Sequence, residues 1–122
     1  MIRRYTTSPI EHLGRETPRG QLLFKATDLQ VFLGYEDDWV EFTQLVELTM
    51  RGVIRSGNGE VIPLVEETEN GAVKISDYQL DNVAAILLSL MGDPTGRPGV
   101  AKMQGYIAEV QCIADEQKGR NP

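Results

Sequence analysis

Few residues in this chain have the chemistry to act on a substrate. His12 is the only histidine and Cys112 the only cysteine. An activated serine or cysteine needs a base held within hydrogen-bond reach, and His12 stands in a segment broken by Pro9, Gly14, Pro18 and Gly20, a poor mount for one. Cys112 falls within an amphipathic repeat and reads as a small core residue. One His and one Cys cannot supply the four ligands of a structural zinc site. Glu36-Asp37-Asp38 concentrates carboxylates but lacks the alternating oxygen ligands and closing glutamate of an EF-hand loop. Asp28 and Glu47 read as carboxylates on solvated helix faces. Gly92-Asp93-Pro94-Thr95-Gly96-Arg97-Pro98-Gly99 has no Gly-Lys-Ser/Thr ending and follows a helix, so it reads as a stiff interhelical connection, not a phosphate loop. Only Arg97, beside a helix N-terminus, is placed to meet an anion. No catalytic residue, metal site or cofactor is expected, and the chain is read as non-catalytic.

The elements that would carry these residues follow from periodicity and punctuation. Residues 1–20 lack a sustained apolar period and read as a basic arm, with Arg3, Arg4, Arg15 and Arg19 and a short strand around Ile2 to Tyr5. Gln21 to Phe24 reads as a strand. Thr27 offers an N-cap to a first helix with Leu29, Phe32 and Leu33 on one face, ended by Gly34. Asp37-Asp38 opens a second helix whose stripe is Trp39, Phe42, Val46 and Met50, with Gly52 as its end. Strands at Val61 to Val65 and Ala72 to Ile75 flank the Asn70-Gly71 turn signal. Pro63 cannot donate to a ladder, which puts its strand at a sheet edge. Asp81 caps a third helix that turns Val83, Ala84, Leu87, Leu88 and Met91 inward, and Gly92-Asp93-Pro94 stops it. Pro98 suits the first turn of a fourth helix. There Val100, Met103, Ile107, Val110 and Ala114 form a seam for packing on helix three or for a coiled-coil-like homodimer. Two heptads are short for a free coil, so packing within the domain is favoured. The expected fold is α+β, with about four helices and a small antiparallel hairpin or sheet in one domain over residues 21–117. Residues 118–122 read as a polar tail.

Composition bounds the rest. A chain of 122 residues has room for one core. The longest strongly apolar run, Val83 to Met91, is 9 residues, whereas about 20 are needed to span a bilayer. No signal-peptide pattern follows Arg3-Arg4, and a lone cysteine suits a reducing compartment, so the expected location is cytoplasmic. The 18 acids outnumber the 12 Lys and Arg, for a net charge of −6. A dedicated nucleic-acid binder ordinarily shows the opposite balance, because cations that displace phosphate counterions supply most non-specific affinity.

The order of the motifs resembles a known family. Ala26-Thr27-Asp28-Leu29-Gln30, Leu33-Gly34-Tyr35 and Trp39-x-x-Phe42 are followed by Asp77-Tyr78-Gln79-Leu80 with Ala84, Leu87 and Gly92-Asp93-Pro94. Val100-Ala101-x-x-Gln104-x-Tyr106-Ile107-Ala108 completes the series. Over roughly residues 22–114 this resembles the BRO N-terminal domains and the DNA-damage-inducible protein D family, which are similar to the KilA-N domain. The resemblance implies a phage- or prophage-type regulatory protein linked to antirepression or the DNA-damage response, with a DNA-binding module. Two departures remove positive charge: Thr27 stands where the family usually has Arg, and Asp81-Asn82 where it usually has Ser-Arg.

Two functions follow. In the first, the domain binds DNA or a nucleoprotein complex, with Arg51, Arg55, Arg97 and Lys102 as phosphate contacts. In the second, it is an acidic protein-binding antagonist, an antirepressor or an inhibitor of a host recombinase or defence complex, that does not bind DNA. Its contact face would be Glu36, Asp37, Asp38, Glu41 and Glu47 together with the acidic hairpin. Residues 26–50 hold six acids and no base, and the hairpin sets Glu60, Glu66, Glu67 and Glu69 against Lys74. Both surfaces would repel phosphate. A homodimer through the fourth helix is compatible with either function.

Overall fold

The computed structural model describes residues 8–120 of the backbone, with side chains through Glu116. The strand expected around Ile2 to Tyr5 lies outside the described residues. A one-turn 3-10 helix (Glu11–Leu13) leads into β1 (Arg15–Glu16), β2 (Leu22–Lys25), α1 (Ala26–Phe32) and α2 (Trp39–Ser56). Then come β3 (Val61–Glu67), β4 (Val73–Asp81), α3 (Asn82–Met91) and α4 (Pro98–Arg120). The strands form one antiparallel sheet ordered β1-β2-β4-β3. This is the α+β architecture that the sequence implies, with Pro63 on the edge strand where its missing N–H costs no ladder bond.

Alternation along β4 builds the floor of the core. Tyr78 and Leu80 are buried while Gln79 between them and Asp81 after them are half-buried, as a pleated strand with one covered face requires. Phe24 on β2 pairs with Leu80 in register. These residues join Leu29 of α1 and Leu33 just after it, Phe42, Val46 and Val53 of α2, and Ala84, Ala85 and Leu88 of α3 in one cluster. Each large side chain buried this way stabilises by roughly 1.5–3 kcal/mol.

Several boundaries differ from the sequence reading. Residues 8–20 are not a free arm: Ile10 is fully buried in the core, and β1 pairs with β2. Thr27 does not cap α1 with its own side chain. It lies inside the first turn, where its N–H and hydroxyl both donate to the Asp77 carboxylate. Gly52 does not end α2, which runs one turn further to the left-handed Gly57. Gly52 instead lets α3 approach, since a Cβ there would stand 2.8 Å from Leu87 Cδ2. Val83 is exposed, and Ala85 and Ser89 take the inward positions. Residues 118–120 belong to α4 and not to a separate tail. Asp38 and Asp81 do cap α2 and α3, accepting from the N–H groups of Glu41 and Ala84 at 2.8 Å.

Candidate functional site

Among the described residues, Arg97 is the cation with both an aromatic and a carboxylate partner. Gly34 adopts the left-handed conformation that ends α1, and the chain turns there to place Tyr35, which is buried. The Gln30 side-chain amide donates to the Tyr35 carbonyl at 2.9 Å. The Tyr35 hydroxyl accepts from the Asp93 N–H at 3.2 Å. The Arg97 guanidinium lies over the Tyr35 ring, 4.1 Å from its centre, with one terminal nitrogen 3.7 Å from Glu41 Oε2. A Cβ on Gly34 would meet Arg97 Cγ at 3.1 Å, and one on Gly99 would collide with the Phe32 carbonyl. The α3–α4 loop is thus seated on the α1–α2 turn, with Arg97 as the staple. Thr95 donates its N–H to the Asp93 carboxylate at 2.9 Å, and this bond holds the Asp93 carboxyl below the usual range. The structure places the cation of Arg97, expected as a phosphate contact, against a tyrosine and a carboxylate of its own chain.

The other three expected phosphate contacts remain on the surface. Arg51 and Arg55 are exposed one turn apart on α2, among the exposed Leu48 and Ile54. Lys102 is exposed near the start of α4. None of the three forms an ion pair among the described residues. The expected acidic face divides in a similar way. Asp38 caps α2 and Glu41 meets Arg97, while Glu36 and Asp37 are exposed in the α1–α2 turn. Glu47 is exposed on α2. Burial, and then the charge of Glu47, push the Tyr78 phenol above its ordinary range.

The candidate chemistry residues come no closer together. His12 is exposed, with its ring edge-on to Phe32 at 6.2 Å. Cys112, expected in the core, is exposed on α4. The reason is that Cys112 falls midway between Val110 and Ala114 in sequence and so on the helix face opposite the seam, whose members Ile107 and Ala114 are half-buried. A shallow depression of about 140 Å³ on the sheet is lined by Gln21, Leu23, Glu60, Ile62, Gln79 and Asp81. Of its two carboxylates, Asp81 is already engaged in capping α3.

The most conspicuous exposed feature is the outer half of the β3–β4 hairpin. Ladder register shifts between Leu64 and Val65, and such a bulge bends and re-aims a strand. Beyond it every residue from Val65 to Ile75 is exposed except the half-buried Thr68. Val65, Val73 and Ile75 keep 61%, 66% and 48% of their surface in solvent, beside Glu66, Glu67 and Glu69. Sequence reasoning found the acids but missed the aliphatic residues, because Val65 and Ile75 look like ordinary members of half-buried strands. The run of acids from Glu66 is the signal that no core lies on either face there.

No family model matches the chain, nor does any curated protein or solved structure.

Proposed function

We propose that this chain is a non-catalytic regulatory binding domain of BRO-N-like type that contacts a protein partner through the outer half of the β3–β4 hairpin. The observation that carries this reading is the pairing of exposed Val65, Val73 and Ile75 with Glu66, Glu67 and Glu69 on one protruding ribbon. Exposed aliphatic side chains gain from docking on another protein surface. Carboxylates beside them gain nothing from a phosphate backbone, but they complement a basic protein face and speed encounter with it. A DNA- or nucleoprotein-facing surface of another regulator has that character, which agrees with the antirepressor-type role implied by the family resemblance.

Affinity capture from the cell of origin tests this reading. The wild-type chain is expected to return a stoichiometric protein that is lost from a V65S/V73S/I75S variant and from E66K/E67K. A partner retained equally by both variants would remove the hairpin from the interface.

A second reading is supported by Arg51 and Arg55, which are exposed with no ion-pair partner among the described residues. With Lys102 they would give salt-sensitive contact to DNA backbone, without base readout. Loss of duplex retention at low salt in R51E/R55E would favour it.

A further inference from the structure

The apolar seam of α4 is fully buried only as far as Met103. Val100 and Met103 are fully buried, and one turn later Tyr106 and Ile107 are only half-buried. Val110 is 40% exposed, and the half-buried Ile113 and Ala114 continue the same stripe at heptad spacing. The expectation that this seam packs within the domain therefore holds fully for Val100 and Met103 and in part for Ile107 and Ala114, while Val110 stays exposed. A helix whose stripe extends past the surface that covers it gains by finding a second one.

We propose that α4, along the flank that runs from Lys102 to Glu116, pairs antiparallel with the same helix of a second copy of this chain. This does not depend on what the hairpin binds. Charge along the helix selects both the occupant and the direction. Lys102 lies near the start of α4, and Glu109 and Glu116 follow on the same flank at intervals of one heptad. An antiparallel pair lays Lys102 of each copy beside Glu116 of the other, so a two-fold axis makes two attractive contacts from one pair of residues. A parallel pair would align each glutamate with its own equivalent, and the two helix dipoles with one another. The same register brings Glu109 of the two copies together at the axis, the one repulsive contact in the arrangement.

Sedimentation velocity on the full chain over roughly a hundredfold range of concentration tests the pairing, since a dimer of this size dissociates on dilution. The wild type is expected to shift from dimer to monomer. Val110→Glu with Ile113→Glu is expected to be monomeric throughout, with the thermal transition of the body retained because neither residue is in its core. Lys102→Glu or Glu116→Lys alone should weaken association roughly five- to tenfold, and the two together should restore it. Glu109→Gln should tighten association by roughly two- to fivefold. A wild type that is monomeric at every concentration would overturn the proposal. So would a dimer indifferent to Val110→Glu with Ile113→Glu, or a double charge exchange no better than either single one.

Discussion

Asp77 in β4 and Thr27 in α1, fifty residues apart, are joined by two hydrogen bonds to one carboxylate: the Thr27 N–H donates to Oδ1 at 3.1 Å and its hydroxyl to Oδ2 at 2.8 Å. Asp77 also accepts from its neighbour's N–H, that of Tyr78, at 2.8 Å. A strand residue thereby satisfies a first-turn donor of a helix, the work ordinarily done by a local N-cap. Asp77→Ala is expected to lower stability by about 1–2 kcal/mol, the range for losing a cap with charge-assisted bonds. In urea the midpoint should fall with the slope unchanged. An unchanged midpoint would mean that water replaces Asp77 without cost.

Gly99 should tolerate no side chain. Its Cβ would run into the Phe32 carbonyl, a backbone atom that cannot rotate away. Gly99→Ala is therefore expected to cost at least about 2 kcal/mol, despite the better helix propensity of alanine. Gly105 on the same helix has open space at its Cβ position. Gly105→Ala should be neutral to slightly stabilising, and thermal melts of the two variants compare them directly.

Arg97 should behave as a structural residue. Arg97→Ala removes the stacking on Tyr35 and a half-exposed pair with Glu41. A partly desolvated cation–π contact contributes about 1 kcal/mol, and such an ion pair less than that. A loss of roughly 1–2 kcal/mol in urea unfolding is expected, with partner capture unaffected. Glu41→Gln should cost less than Arg97→Ala in the same measurement.

Tyr78 gives a pH dependence of definite sign. Burial and Glu47 raise its pKa in the folded state above the ordinary 10.0 of the unfolded chain. The unfolded chain therefore releases this proton first as pH rises. The contribution of Tyr78 to stability is complete below pH 10.0 and is lost as pH climbs through the raised folded-state value. Tyr78→Phe should remove that part of the alkaline decline in stability, read as a flatter dependence of urea midpoint on pH above 10.0. An unaltered slope would place the alkaline titration elsewhere.

The elements were legible in the sequence where a local rule decides them. Asp38 and Asp81 cap helices by side-chain chemistry, Gly34 ends α1 by its left-handed backbone, and Pro63 goes to an edge for want of an N–H. Where a distant residue decides, the local rule misled. Thr27 looked like a cap and is itself held by Asp77, and Gly52 looked like a stop and is a contact point for Leu87. The candidate site divides along the same line. Arg97 read as a free cation because nothing in its own loop announces Tyr35 and Glu41, which lie on the α1–α2 turn and α2. The hairpin acids were visible by composition, but the exposure of Val65, Val73 and Ile75 depends on how far the ribbon extends past the core.

Filter retention of duplex DNA at low salt separates a protein-contacting hairpin from a phosphate-contacting surface most directly. With carboxylates on the exposed ribbon and Arg97 turned onto Tyr35, the chain is expected to retain no duplex, and R51E/R55E should be indistinguishable from wild type. Tight retention that falls steeply with salt, and disappears in R51E/R55E while surviving V65S/V73S/I75S, would contradict the reading and move the function to α2.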